Sequence, residues 1–521
     1  MKLLSLSILI SLVVQSTLAA HEIKRQTSTS DSDLLINPPG FPRLPSATTG
    51  QRIAATAAPG LNLNDIQGDV LIGMRKKKEL FFFFSIKDAA KFKSKLGSDI
   101  HSLITNTNQI LPGSKNIPHT AVNIAFSKTG LDALNITDNL QDDNFNIGQF
   151  KNATDLGDAG TGNWVPAFKG TNIHGVFLLA ANRTQFIDSK LADIQQILGD
   201  SITENYRLSG AARPGNEEGH EHFGYLDGVS NPAVQGFDDG TRPQPPAIVP
   251  GRFIVGASGD TFTNRPAWAT GGSFLVFRQL QQKVPEFNKF VEDHPLNVPG
   301  LSQQENTDLF GARLIGRWKS GAPIDLAPLR DDPALGADSQ RNNNFTYDHP
   351  EIPGFDVKSN QTLCPYSAHL RKTRPRATLG AETGPGDDHH IIRAGIPYGP
   401  EVTRAESSSN KSSTDPSLER GLAFVAYQSN IDTAFKFIQR SWIDNAQFPS
   451  PVAGITGNTT GVDPIIGRNA GTVTDAPRVI TGTDPLNTNK SFTLNSEFVI
   501  SRGGEYFFSP PISALSGKLA T

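Results

Sequence analysis

From residue 80 to residue 210 the hydrophobic pattern runs strand, helix, strand, strand, helix, strand, and the same order returns after residue 270. LFFFFSI at 80–86, behind the basic MRKKK, is a short unbroken apolar run and predicts a strand buried on both faces. AAKFKSKLGSDIHSLI then places Phe92, Leu96, Ile100, Leu103 and Ile104 at helical spacing. TAVNIAF (120–126) and GVFLLAA (175–181) predict two strands, TQFIDSKLADIQQIL a helix, and ITENYRLSG a fourth strand. The second round comprises GGSFLVFRQL (271–280), a helix near 284–292, HIIRAGIPY, GLAFVAYQS and the helical NIDTAFKFIQRSWID. Two β-α-β-β-α-β units predict an α+β chain of two ferredoxin-like halves, 61–255 and 256–521, each an antiparallel sheet with helices on one side. The Pro-rich TRPQPPAIVPG lies where a connector is needed.

The chain has 521 residues, 37% of them hydrophobic, enough for one large core or two to three domains. A net charge of -3 gives no electrostatic reason for a nucleic acid or an anionic membrane to be the partner. MKLLSLSILISLVVQSTLAA has the charged start, apolar run and small-residue end of a cleaved secretory signal, so the protein is expected outside the cell. Residues 21–60 show no sustained period and read as a propeptide or loose arm. Eight N-x-Ser/Thr sequons, at Asn135, Asn152, Asn182, Asn344, Asn360, Asn410, Asn458 and Asn489, fit a secreted glycoprotein. Cys364 is the sole cysteine, so no intrachain disulfide forms and burial must supply stability. No apolar run after the leader is long enough to span a bilayer, which predicts a soluble chain, expected as a monomer. Segments 319–362 and 403–417 are polar and broken, and read as long surface loops.

Four clusters compete for the chemistry. In HEHFGYLDGVSNP, His220 and His222 stand at i and i+2 on one side of a strand, but no third ligand follows at a recognised zinc spacing. Asp227 in the same stretch begins an Asp-Gly turn or else carries a reactive carboxylate. CPYSAHLRKTRPR (364–376) is a solvated basic loop or a cationic bed for an anionic cofactor such as haem, with imidazole on the iron and arginine on the propionates. In DDHHIIRAGIPYG the adjacent His389 and His390 would point to opposite faces of a strand, at least one of them toward solvent.

GYLDG followed by SNP, AHLRKTRPR, HIIRAGIPYG and GLAFVAYQ, in that order, resemble the fungal dye-decolorising peroxidases, and LNLNDIQGDVL at 61–71 resembles the start of their mature chain. The family's Gly-x-x-Asp-Gly motif stands unbroken at Gly224–Gly228. The resemblance implies one haem b per chain, held between the two halves with its iron on His369 in the C-terminal one. It implies Asp463 as the acceptor that orients His369, and Arg371 as a propionate partner. Asp227 would move a proton between the oxygens of hydrogen peroxide and Arg393 would stabilise the charge as their bond breaks. An aspartate base stays ionised where a histidine is already protonated, so an acidic pH optimum is expected. Leu422 and Phe424, two apart on one strand, would line the distal pocket. Bulky dyes would be oxidised through a surface aromatic, Trp442 or Tyr398, although Trp442 also follows Phe435, Phe437 and Ile438 as an ordinary packing residue would.

Three rival readings remain open at this level. Cys364 could be a thiolate ligand of a haem-thiolate peroxygenase. The chain could be a secreted haem-binding glycoprotein without activity. Related two-half haem proteins decompose chlorite or process haem, against which the GxxDG motif argues.

Overall fold

The computed structural model describes residues 41, 42, 44–46, 48, 50, 61–75, 77–238, 247–380, 389–450, 460–469, 472 and 475–521. The leader, most of the arm, part of the Pro-rich connector and the Asn458 sequon lie outside them. A short helix, α1 (Gly68–Ile72), precedes the first half, which runs β1 (Lys78–Ile86), α2 (Ala89–Ser98), β2 (Thr120–Phe126), β3 (Gly175–Ala181), α3 (Thr184–Leu198) and β4 (Ile202–Ala211). The second half opens with β5 (Ser273–Gln282), α4 (Val284–Asp293) and α5 (Gln303–Ile315), followed by α6 (His369–Thr373). The expected HIIRAGIPY strand is broken into β6 (Ile392–Arg393) and β7 (Ile396–Tyr398), and β8 (Gly421–Gln428) follows. A small ribbon of β9 (Arg478–Ile480) and β10 (Phe492–Leu494) precedes β11 (Val499–Ser509), which completes the second unit.

Both halves have the ferredoxin-like strand order, β2-β3-β1-β4 in the first and β7-β8-β5-β11 in the second. They do not remain separate sheets. β4 meets β7 at Gly210 and Tyr398, β11 meets β2 at Phe508 and Phe126, and the nine-stranded sheet closes on itself through β5 and β8. Gly210 is required at its seam, because a Cβ there would lie 2.3 Å from Ile396 Cγ2.

Closure explains the phenylalanine run, since a strand in a covered barrel buries both faces. Phe81 and Phe83 point inward with Leu178, Phe277, Val425 and Phe507. Phe82 and Phe84 point outward onto Phe92 and Leu96 of α2 and Ile187 and Leu191 of α3. Each fully buried ring contributes roughly 1.5–3 kcal/mol.

The second sheet stands off from its helices along part of its length. On β5 the outward Phe274 and Val276 join the packed layer, whereas Arg278, Leu280 and Gln282, further along the same face, line a cavity. Beyond it α4, α5 and the 319–362 segment build a cluster around Phe287, Phe310, Trp318 and Tyr347. That segment is mostly loop, as expected, but carries a short helix at Pro333–Ala337 and is not merely surface: Phe345, Tyr347, Asn342 and Asn343 are buried in it. Its polar residues satisfy buried arginines, which composition alone does not reveal.

The helix expected at 430–444 is wound in wide π turns over Asp432–Lys436 and Ile438–Ile443, with Lys436 N–H donating to Ile431 O at 2.9 Å. Such windings concentrate at functional sites. The arm is not loose where it is described: Leu44 packs on the barrel core, and the Phe41 ring would sit 3.1 Å from a Cβ placed on Gly228. No helix among the described residues is long and apolar enough to cross a membrane.

Candidate active site

The cavity encloses about 320 Å³ between the outer face of β5, β8 and β11 and the C-terminal helices. It lies against the second sheet; the first half contributes a rim at 156–160, Asn163 and the loop that carries Asp227. Leu280, Leu422 and Phe424 form an apolar wall, with Ile443, Ile465 and Ile466 also facing the space. Leu422 and Phe424 therefore share a face, as strand alternation requires.

His369 begins α6, which is pinned by Ser367 Oγ donating to Thr481 O at 2.9 Å. Its Nδ1 lies 2.7 Å from Asp463 Oδ2, and the imidazole side chain remains 31% accessible. Asp463 is fully buried and accepts the backbone N–H groups of Ile465 and Ile466 at 2.8 and 3.0 Å. Burial raises the Asp463 carboxyl, but His369 and these hydrogen bonds outweigh it and hold the group below the ordinary range. With Nδ1 engaged, Nε2 is the ring nitrogen left for a ligand.

Asp227 belongs to the loop that GYLDG predicts to turn, and its side chain also faces the cavity. Its N–H donates to Gly219 O, and its Oδ1 accepts the N–H of Gly228, whose φ of 88° suits glycine. The same Oδ1 lies 2.5 Å from Arg393 Nη1. Burial pushes the Asp227 carboxyl up, yet Arg393 and the Gly228 N–H together bring it below the usual range. Arg393 is held in turn by Asn231 of the SNP motif: its N–H donates to Asn231 Oδ1 at 3.1 Å, and Asn231 Nδ2 donates to its carbonyl at 2.8 Å. Asn231 escaped the sequence reading, although its place four residues after Asp227 was the available signal.

Arg371 does not line the cavity. It is buried, donates to Cys364 O and Thr378 Oγ1, and lies over the Tyr347 and Tyr366 rings at 4.7 and 4.2 Å. At helix position i+2 it faces away from His369, which corrects its assignment to a propionate. The cavity wall instead carries Arg317, Arg374 and Arg376. Arg317 Nη2 and Arg376 Nη2 both donate to Asn343 Oδ1, at 3.1 and 2.6 Å. Burial, with Arg376 nearby, draws Arg317 down to about 9. Two guanidiniums sharing one neutral acceptor form a place that an anion would stabilise.

Trp442 and Tyr398 are 3% and 4% exposed, so neither is a surface residue. Trp442 stacks on Phe448 at 5.3 Å and meets Phe437 and His389 edge-on. Tyr398 sits at the β4–β7 seam and donates to Glu419 Oε1 at 2.8 Å. His389 and His390 both line the cavity, outside any strand, so the alternation argument does not apply to them. His389 lies flat on Phe437 at 3.5 Å, and His390 is buried. His220 and His222 form no metal site: their Nε2 atoms face Lys319 O and Tyr398 O, and burial draws His222 down to about 4. Among the described residues no group of three or more His, Cys, Asp or Glu could hold a metal ion.

The model for the DyP dimeric alpha+beta barrel domain matches residues 65–214, and that for the C-terminal part of Dyp-type peroxidases matches residues 223–461. A dye-decolorizing peroxidase of Mycetinis scorodonius is 55% identical over the full length of both chains. The chain belongs to the DyP-type peroxidases. A second relative, the dye-decolorizing peroxidase of Auricularia auricula-judae, is 52% identical over 95% of this chain and 93% of its own. A crystal structure of a fungal DyP-type peroxidase from that organism superposes with a TM-score of 0.81, covering 88% of this chain and 99% of the other. As a DyP-type peroxidase the protein is a hydrogen-peroxide-dependent oxidoreductase of dyes with haem as cofactor.

The cavity of this DyP-type chain suits that cofactor by its donor set: an imidazole with one nitrogen already engaged, an apolar wall and a paired-arginine edge. Cys364 offers no thiolate there. It is buried outside the cavity wall, and burial pushes its thiol up to about 12.

Proposed function

We propose that this secreted, monomeric enzyme reduces hydrogen peroxide with Asp227 as the proton carrier and Arg393 as its electrostatic partner, on haem ligated by His369. The observation that carries this reading is the Asp227–Arg393 ion pair facing the same cavity as the Asp463-locked imidazole. Bound haem supplies the iron that takes up the oxidising power of peroxide and hands it on in single-electron steps. Asp227 accepts a proton from one oxygen of peroxide and returns it to the other, which leaves as water; Arg393 offsets the negative charge that develops on that oxygen. Asp463 keeps Nδ1 of His369 protonated and its Nε2 available. Leu422 and Phe424 exclude water beside the reacting oxygens, and Arg317 and Arg376 hold the propionates in place of Arg371.

Dyes too large for the cavity deliver electrons through Trp442 or Tyr398, although both are buried. His389 and Phe437 link Trp442 to the cavity wall. Export rests on the leader-like first twenty residues and the sequons.

The test is stopped-flow peroxide reduction by the haem-loaded protein. Asp227→Asn is expected to slow it by roughly 10²–10⁴-fold, the usual worth of a general acid–base group. Unchanged rates in both Asp227→Asn and Arg393→Leu would sink the assignment.

A further inference from the structure

The barrel interior holds a polar cluster that the peroxide site does not use. Asp69 of α1, Glu79 of β1 and Tyr427 of β8 are 1%, 7% and 0% exposed, in the layer that holds Phe81 and Val425. Tyr427 Oη donates to Asp69 Oδ2 at 2.6 Å. Asp69 Oδ1 accepts Met74 N–H at 3.1 Å, and Asp69 N–H donates to Asn123 Oδ1 at 2.7 Å. Among the described residues no cation pairs with Asp69 or Glu79, and Glu79 Oε1 has no hydrogen-bond partner. Burial pushes both carboxyls up, and the charge of Asp69 adds to the rise at Glu79. A carboxylate stripped of water and given no cation is costly to keep. Packing alone gives no reason for this one to sit against a phenol.

β8 joins this cluster to the haem cavity. Leu422 and Phe424 face the cavity, and Tyr427, of opposite parity, turns into the barrel three residues beyond Phe424, roughly 10 Å along the strand. Ile392 and Arg393 are the register partners of Tyr427 and Ala426. The phenol therefore sits directly behind the strands that carry the peroxide-reducing arginine.

We propose that Tyr427 is a redox-active residue, an internal electron donor to the haem site whose phenolic proton passes to Asp69 as the electron leaves. The inference rests on the peroxidase reading, which supplies the oxidant. In the step the Tyr427 O–H bond breaks, the electron cancels one oxidising equivalent derived from hydrogen peroxide, the proton goes to Asp69 Oδ2, and a neutral phenoxyl radical stays on the ring. An electron from an external reductant, with the proton returned by Asp69, restores the phenol.

A carboxylate accepts from two buried tyrosines, but Glu419, the acceptor of Tyr398, is ion-paired with Arg502 at 3.1 Å, whereas among the described residues no cation pairs with Asp69, the acceptor of Tyr427. The hydroxyls of the buried Tyr347 and Tyr506 have no partner, and that of Tyr366 donates to a backbone carbonyl, which takes up no proton. At Tyr427 a carboxylate oxygen already stands within transfer distance. Burial and the charge of Asp69 hold the phenol far above its usual range, so it keeps its proton until it is oxidised. The titratable groups facing Asp69 are Tyr427 from β8 and Glu79 from β1, and Asn123 from β2 is neutral. Since both carboxyls are raised, the acceptor is filled with a proton in acid and becomes available as pH rises. The store therefore works best where acid-favoured turnover slows, and when reductant is scarce.

Freeze-quench electron paramagnetic resonance of the haem-loaded protein, mixed with one equivalent of hydrogen peroxide and no reductant, tests this. The expected result is a tyrosyl radical that narrows on incorporation of ring-deuterated tyrosine and is lost in Tyr427→Phe. It should form more slowly in Asp69→Asn and grow as pH rises. A tyrosyl signal undiminished in Tyr427→Phe, or its absence from wild-type protein that consumes peroxide normally, overturns the inference and leaves the peroxidase reading intact. Wild-type protein that consumes no peroxide overturns both.

Discussion

Asp227 is subject to two opposing effects, and their balance sets how the enzyme responds to acid. Burial favours the neutral carboxyl, while Arg393 at 2.5 Å and the Gly228 N–H favour the anion and prevail. A folded value below the unfolded one means that the ion pair's stabilisation is present above the ordinary carboxylate range and is lost as pH falls through the depressed value. The proton acceptor follows the same curve. The kcat/KM for peroxide should hold as pH drops through about 3.9, the reference for a free aspartate, and fall only below it. A profile that collapses between pH 7 and 5 would point to a histidine base instead. On the other side of the site, Asp463→Asn removes the negative charge opposite His369 Nδ1, and haem retention in a transfer assay should weaken by roughly 10–100-fold. Asp227, Arg393 and His369 could be singled out in the sequence because each sits in a short motif whose order carries information, whereas Asp463 followed only from what the family resemblance implies. Arg317 and Arg376 were not, because their role comes from Asn343 bridging them across a loop, and nothing in spacing encodes that bridge. Arg371 looked right because it lies close to His369 in the chain, but a helix turns the side chain at i+2 away.

Among the elements, β1 carries the largest share of the argument for the fold. Its alternate phenylalanines serve two cores, and Phe83 meets Phe168, Tyr206, Phe277 and Phe507 inside the barrel. Phe83→Ala should cost about 3–5 kcal/mol, read as a lower denaturant midpoint of the intact protein, because rigid strands cannot collapse into the void. Most strands and helices were legible because periods of 2 and 3.6 survive in a single sequence, but α5 and the closing strand β11 were not among the elements expected. Closure of the two sheets was not, since each seam rests on one residue pair and leaves no pattern to read. The π winding at 432–443 was equally hidden, for the apolar spacing of Phe435 and Ile438 suits an ordinary helix.

At the scale of the whole molecule, a buried oxidant must reach reductants that cannot enter. Trp442 is tied to the cavity wall by its edge contact to His389, which lines the cavity. In Trp442→Phe, oxidation of a bulky dye should fall while peroxide reduction, followed by stopped flow, keeps its rate. Equal dye turnover in both proteins would shift the exit to Tyr398. The family resemblance places both residues at the surface, but Phe437 and Phe448 pack on Trp442 and the β4–β7 seam encloses Tyr398. The two seams have a further consequence for how the chain is made. β2 and β4 are the outer strands of the first half, and the outer edge of each is covered only by a strand of the second half, synthesised much later. Until β7 and β11 arrive, the nascent first half carries two bare hydrogen-bonding edges, the kind that recruit another chain. Slow translation or truncation before residue 499 should therefore yield aggregates through these edges.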